Sequence, residues 1–568
     1  MPSQLFLEER DANGNFSKAY YDSFDNDTSL RATHGGIGIP RAASGLEKKR
    51  DSFDLKGFAG AEIIEVSSHD QNHRGRYYIG RRPSTSRVLR FLQLLISVFL
   101  PTGYPDSVTA DYIDYQIYDS IQAFASSISM LIGNRAVLTS VGVGDKDATS
   151  TSALFITVIQ ETIGRLATIT FAWKFGSMLE QECKKFRFAA DLVVNAGIIC
   201  DCLSPYFLAN RSAKIFFLCC SGVLKAICGV MANGSKAALT QHFTNSEKGS
   251  IADVAAKDSS QETVISLLGM LAGTIIVPYI NTDTEIWTVL LILIGLHLFT
   301  NYRAVSSVVM ETLNRHRTSI VFARLMDTIS PGMMESDFLN QPPVLPSIIL
   351  TPRQVSSQER VLEQDGVLRW GSRGAVMGVA TIGTFSAVRK ILPPGMSVQD
   401  LLSIFGHGSA GYVLWFETSR VRGRRTKQIT VRIALIERFH DDRPTSDRAY
   451  YAHESSGSST PSPYGQDNID TRDVRAWVHA LYLARHVRSL HNGSGESNSI
   501  TSARDNVIRT LHLVDGLFGP TGRVTEALGI RGWDLTRGRT MIVSGSVPRV
   551  RVRVRLSDMD HDLKGGDA

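Results

Sequence analysis

The sequence has no Cys-x-x-Cys pair, and no histidine lies among its six cysteines, Cys183, Cys200, Cys202, Cys219, Cys220 and Cys228. Without ligands at such spacing a zinc site has nothing to build on, so these thiols are expected to act as small apolar side chains. There is no Gly-x-Ser-x-Gly elbow for a hydrolase nucleophile. Gly142-x-Gly144-Asp145 is too short for a dinucleotide fingerprint and follows no strand pattern. A secretory signal is also missing. MPSQLFLEERDANGNF has neither a basic start nor a long apolar core, and its early acidic residues argue against an organellar transit peptide. Disulfides are therefore not expected, and any membrane targeting must come from internal segments. The net charge is +6, but no nucleic-acid-reading module accompanies it, so nucleic acid is left out of the expected partners.

What is present is segregated. Hydrophobic residues make up 43% and charged residues 20% of 568, near the globular average, yet nearly all long apolar runs fall in the middle of the chain. Residues 1–58 have scattered charge and no period, and are expected to be disordered. A short lead-in, 59–87, holds the strand pattern AEIIEV, a turn-rich stretch and YYIG. Residues 88–320 form the apolar domain, 321–365 a linker rich in Pro and Ser, and 366–568 a polar α+β unit with a disordered insertion at 444–470. In that last unit the pattern predicts a helix over 397–405, a hairpin pairing 411–416 with 428–437, and helices over 471–490 and 502–518. The alternation of Arg549, Arg551, Arg553 and Arg555 with Val and Leu predicts a strand with one basic face. The fold class is therefore mainly α: a multi-helix membrane-associated domain with a smaller soluble α+β C-terminal domain.

Within the apolar domain, Ile113, Ile117, Ile121, Phe124, Ile128 and Leu131 recur at helical spacing, with Gln116, Asp119 and Gln122 elsewhere on the turn. Helices are also expected from the cap Thr149-Ser150-Thr151 through Trp173, over 189–208 and over 213–231. The membrane signal is strongest in a pair of segments. Thr263 to Thr282 runs 20 residues without a charge, and in the 17 residues from Ile286 to Tyr302 the one group titrating near neutral pH is His297. A bilayer core takes about 20 apolar residues. The acidic turn Asp283-Thr284-Glu285 joins them into a hairpin, and Lys248, Lys257, Arg303, Arg315 and Arg317 flank it on the opposite, cytosolic side. Gly269 and Gly273 form a GxxxG pair that lets another helix approach closely.

One dense polar stretch, KAALTQHFTNSEKGSIADVAAKDSSQET, leads into this hairpin. A catalytic reading would use His242 as base, Asp253 to orient it and Ser259 as nucleophile, but residue order alone does not make a triad. A structural reading pairs Asp253 with Lys257 along a helix and takes Ser259-x-x-Glu262 as a capping box opening the first hairpin helix. A third reading has these groups lining a ligand site or conduit. The candidate ligand or polar-network residues are Asp106, Gln116, Asp119, Gln122, Asp145, Lys236, Gln241, His242, Asp253, Lys257, Asp258, Gln261, Glu262, Asn301 and Arg303. His297, on an otherwise apolar helix, reads as a hydrogen-bonded packing residue. No catalytic residue, metal ligand or cofactor is assigned.

Over Phe99 to Arg317 the chain resembles the root UV-B sensitive family. The resemblance runs through FLPTGYPDSVTADYIDYQIYDSIQAF, AVLTSVGVGDKDAT, FAWKFG, KKFRFAADLVVN, KAICGVMANGSKAALTQHF, IADVAAKDSSQETVISLLG, HLFTNYRAV and LNRHR. It implies a membrane protein with no established enzymatic activity, tied in plants to ultraviolet-B responses and vitamin B6 homeostasis, in which two family members work as a complex. The long N-terminal segment and the Ser/Pro insertion suggest a fungal member. The expected function is a non-enzymatic scaffold or transporter-like role in B6 homeostasis or stress and light signalling. The expected partners are membrane lipid, another family member or a second copy, and a small-molecule ligand. A pyridoxal-phosphate-handling enzyme using Lys257 or Lys236, and a soluble helical adaptor, are the alternatives.

Overall fold

A computed structural model describes residues 98–142, 150–207, 209–245, 247–328, 344–370, 374–406, 410–420, 427–436, 471–493, 500–518 and 524–535, and the strands at 4–10, 16–23, 63–70, 73–80 and 549–550. The chain forms two compact units: Met1–Gln116 with Thr240–Leu268, and Ile117–Leu239 with Gly269–Ala568. Asp145, the basic turn at 422–425, the insertion at 444–470 and Arg551 to Arg555 lie outside the described residues.

The first unit contains an antiparallel sheet of β1 (Gln4–Arg10), β2 (Phe16–Ser23), β3 (Ile63–Asp70) and β4 (His73–Gly80), in the order β1-β2-β4-β3. Two of these strands fall within the 1–58 stretch that composition assigned to disorder. The expected strand around AEIIEV is β3, and its hairpin partner β4 pairs with it over its whole length.

Seven long helices carry the rest of the apolar region: α1 (Tyr112–Val141), α2 (Ser150–Phe175), α3 (Cys183–Leu203), α4 (Arg211–Phe243), α5 (Ile251–Ile276), α6 (Asp283–Ser307) and α7 (Arg315–Thr328). Among the described residues, four helical stretches, Leu154–Met178, Arg211–Phe243, Ile251–Tyr279 and Asp283–Ser307, are long and apolar enough to cross a membrane. Their outward faces are aliphatic and aromatic, as at Leu166, Ile169, Ile275, Ile292 and Phe299, all exposed. The same inversion marks α1. Ile113, Ile117, Ile121 and Phe124 point outward while Gln116, Asp119 and Gln122 are buried; Ile117 is 53% exposed and Gln116 5%. In water this arrangement would be backwards. Against hydrocarbon it is the stable one, because buried polar groups then pair with one another.

Two sequence expectations about the hairpin need correction. Ser259 and Glu262 do not open a helix, because α5 begins at Ile251 and runs through them. The Ser260 hydroxyl donates to the Ala256 carbonyl at 2.8 Å and that of Thr263 to Ser259 at 2.7 Å, so these side chains bond back along the helix instead of capping it. The capping box lies at Thr282 and Glu285, which open α6 reciprocally. Asp283 and Glu285 are thus the first turn of α6, where the helix dipole favours negative charge, and not a separate acidic turn. Gly269 and Gly273 do form a packing face. A Cβ on Gly269 would sit 2.8 Å from the Phe124 carbonyl oxygen of α1, and one on Gly273 2.6 Å from a Leu131 methyl.

The described residues of the stretch 321–365, namely 321–328 and 344–365, pack into a domain and do not form a linker. Val321, Phe322 and Leu325 of α7 are fully buried, and α8 (Val344–Ile348) and α9 (Pro352–Ser356) follow. These elements share one core with the C-terminal sheet, built from β5 (Val367–Trp370), β6 (Ala375–Gly383), β7 (Tyr412–Arg420) and β8 (Lys427–Ile436) in the order β5-β6-β8-β7, with β9 (Arg549–Val550) parallel to β8. The predicted hairpin is β7 against β8. Short helices α10 (Phe385–Arg389) and α11 (Val398–Ile404) precede α12 (Arg472–Gly493), α13 (Ile500–Phe518) and α14 (Val524–Ile530). Buried Trp477 of α12 donates to Ser319 of α7 at 2.9 Å, tying α7 into the domain.

Candidate functional site

Helix α3 organises the interior of the second unit. Lys184, Arg187, Asp191 and Asn195 follow one another at three- and four-residue spacing, so they share one stripe, and all are buried. Asp191 is the hub. One of its oxygens takes Gln122 Nε2 and Asn301 Nδ2, each at 2.5 Å, and lies 3.2 Å from His297 Nε2; the other takes Arg187 Nη1 at 3.2 Å. Arg187 also donates to Asp119 at 2.7 Å, and His297 Nδ1 lies 3.1 Å from Asn195 Oδ1. Side chains from α1, α3 and α6 thus meet at one carboxylate, with His297 and Asn301 each 1% exposed. Burying such charges costs several kcal/mol per ion unless they are paired and hydrogen-bonded. Here the pairing is dense but incomplete: Gln122 Oε1, Asn195 Nδ2 and Asn301 Oδ1 are buried and have no hydrogen-bond partner.

A second polar point lies further along α3, where Asp201 meets Lys225 of α4. At the start of α3, Lys184 donates to Glu359 at 2.7 Å, and Glu359 also receives Arg317 at 2.8 Å. Arg317 is therefore a buried structural cation and not a flanking charge at a membrane surface. Among the described residues no group of three His, Cys, Asp or Glu could hold a metal, and all six cysteines are unpaired thiols.

The polar segment that leads into α5 is arranged differently. Its His242 meets Asp111 at 3.0 Å, Asp258 accepts from Gln116 at 2.8 Å, Asp253 accepts from the Thr102 backbone at 2.7 Å, and Gln261 donates to the Phe99 carbonyl at 2.5 Å. His242 and Asp253 thus have separate partners and Ser259 is exposed, so no triad is assembled. These bonds hold the 99–116 stretch against α4 and α5 within the first unit. Lys236 and Lys257 are half-buried, while Gln241 and Glu262 are exposed. Lys248 approaches Asp106 at 4.0 Å on the surface, and exposed Arg303 reaches the Tyr118 hydroxyl at 3.2 Å.

Of the residues singled out from the sequence, Asp119, Gln122 and Asn301 therefore join the Asp191 cluster, and His297 is hydrogen-bonded on both ring nitrogens. Arg187, Asp191 and Asn195 were not anticipated. Their four-residue spacing within KKFRFAADLVVN was the available signal.

Every member of the cluster falls within residues 85–328, which match the family model described as the vitamin B6 photo-protection and homoeostasis domain. Over this stretch the chain is similar to the root UV-B sensitive proteins. It is 44% identical over 237 residues to RUS family member 1 of Dictyostelium discoideum, covering 41% of this chain and 44% of that one. It is 33% identical over 318 residues to the Arabidopsis thaliana protein root UVB sensitive 3, covering 56% and 65%, and 25% identical over 315 residues to Arabidopsis root UVB sensitive 5, covering 53% and 59%. The chain thus spans between about two fifths and two thirds of the length of these relatives. None of the three is named for an enzymatic activity. No solved structure matches the chain.

Proposed function

We propose that this chain is an integral membrane protein that binds and moves a small polar molecule without changing it covalently, and that the molecule is a vitamin B6 vitamer. The observation that carries the reading is the inverted α1. Its aliphatic face is exposed, and its polar face feeds a buried cluster with donors and acceptors still unpartnered. Ionisable groups kept inside an apolar helical bundle mark substrate or ion pathways more often than they serve stability. The description of the family model, a vitamin B6 photo-protection and homoeostasis domain, supports a B6 vitamer as that molecule.

Vesicles carrying the full chain, checked by flotation, are expected to take up labelled pyridoxine or pyridoxal faster than protein-free vesicles. Asp191→Asn should lose that uptake while still floating. Floating protein that accelerates no vitamer would overturn the transport reading, and protein that fails to float would overturn membrane insertion.

A further inference from the structure

The Asp191 cluster has an odd charge count. Asp119 and Asp191 bring two negative charges and Arg187 one positive, so the balance depends on the state of His297. As placed, both ring nitrogens of His297 face oxygens: Nε2 lies 3.2 Å from the Asp191 carboxylate and Nδ1 3.1 Å from Asn195 Oδ1. A neutral imidazole carries one N–H and one lone pair, so it can satisfy only one of these two acceptors. An imidazolium donates to both, and it brings the cluster to neutrality.

Asn195 holds the alternative. Its Nδ2 is buried with no partner in this orientation. Rotating the amide by half a turn exchanges oxygen and nitrogen, which lets Nδ2 donate to an unprotonated His297 Nδ1. Two protonation states therefore fit one arrangement of side chains, and they differ by one proton and one amide rotation. The unpartnered Gln122 Oε1 and Asn301 Oδ1 leave room for the accompanying hydrogen-bond changes. The charged and titratable groups around the pair are Asp119 from α1, Arg187 and Asp191 from α3, and the Cys228 thiol of α4, which lies within electrostatic range of Asp191 and Arg187.

We propose that His297, Asp191 and Asn195 form a proton-binding site, with Asn195 as the positioning residue that turns with each proton bound or released. This rests on the transport reading and deepens it: the molecule moved would be coupled to a proton. The step is a simple association. One proton from the aqueous phase bonds to His297 Nδ1, the cluster passes from one net negative charge to none, and release returns the proton to water.

The test is a potentiometric titration of the full-length protein in detergent micelles, from mildly acidic to mildly alkaline buffer. Wild type should take up about one proton per chain more than His297→Gln, whose amide reaches the same partners but carries no proton. Asn195→Asp offers oxygen alone toward Nδ1 and should keep the extra proton into more alkaline buffer than wild type. A near-ultraviolet spectrum matching wild type shows that each variant is folded. Identical titration curves for wild type and folded His297→Gln would overturn the proposal. If such protein still moved vitamers in vesicles, the transport reading would stand without the proton site.

Discussion

Glu359 sits between two cations, and all three side chains are buried. Burial alone would raise its carboxyl, but Arg317 and Lys184 outweigh that effect and hold it at about 2, against an ordinary 4.5. Its contribution to stability is therefore complete above about pH 4.5 and is lost as pH falls toward about 2. Glu359→Gln strands Lys184 and Arg317 and should cost about 3–5 kcal/mol at neutral pH. Denaturant titration would show it, and an unchanged midpoint would mean that the pair adds nothing. Neighbouring Glu182 behaves in the opposite way. Burial, only partly offset by Arg317, pushes it up to about 7. An acid raised on folding costs stability as pH climbs from about 4.5 to about 7. Glu182→Gln is thus expected to stabilise the protein in mildly alkaline buffer and to change little below about pH 4.5. Comparing the two variants at both pH values separates the contributions.

Between helices, the close approach of α5 to α1 depends on two missing side chains. Gly269→Leu or Gly273→Leu would force the Phe124 and Leu131 turns outward, an overpacking cost of about 1–3 kcal/mol. The expected readout is a lower thermal midpoint, with α4 and α6 variants of the same size on exposed positions such as Phe216 or Phe299 as neutral controls. This contact was legible in the sequence, because GxxxG spacing states its own geometry. The period of α1 was legible too, but not its direction. A 3.6-residue repeat separates two faces without saying which one is inside, and that depends on what surrounds the bundle. The capping box was misplaced because Ser259-x-x-Glu262 and Thr282-x-x-Glu285 look alike on paper. What separates them is whether a helix is already running through the position, as it is at Ser259 and is not at Thr282. Asp191 was missed for a different reason. Its partners come from three separate helices, and no local pattern records that they meet.

At the scale of the whole molecule, the C-terminal region shares its core with α7, whose second half fell in the stretch 321–365 assigned to a linker for its Pro and Ser content. A fragment beginning at residue 311 is expected to be soluble and to melt cooperatively. One beginning at 366 lacks Phe322, Leu345 and Val355 from its core and should aggregate or stay unfolded. Circular dichroism of the two fragments decides the point. For the full chain, alkaline carbonate washing of membranes should leave the protein in the pellet, and release into the supernatant would contradict the bundle's outward aliphatic surface.

The inverted α1 also has a consequence for how the protein is made. Asp119 leaves the ribosome 68 residues before its partner Arg187, and Asn301, the last donor to Asp191, follows Asp191 by another 110. At about 5–20 residues per second the wait from Asp119 to Asn301 lasts roughly 10–35 s. During that interval α1 carries a carboxylate and two amides whose partners have not yet been made. Its polar face must therefore be shielded by chaperones or held at an aqueous interface until α3 and α6 arrive. Chains truncated before Ser307 should be recognised as orphans and degraded quickly, giving pulse-labelled half-lives well below that of the complete protein.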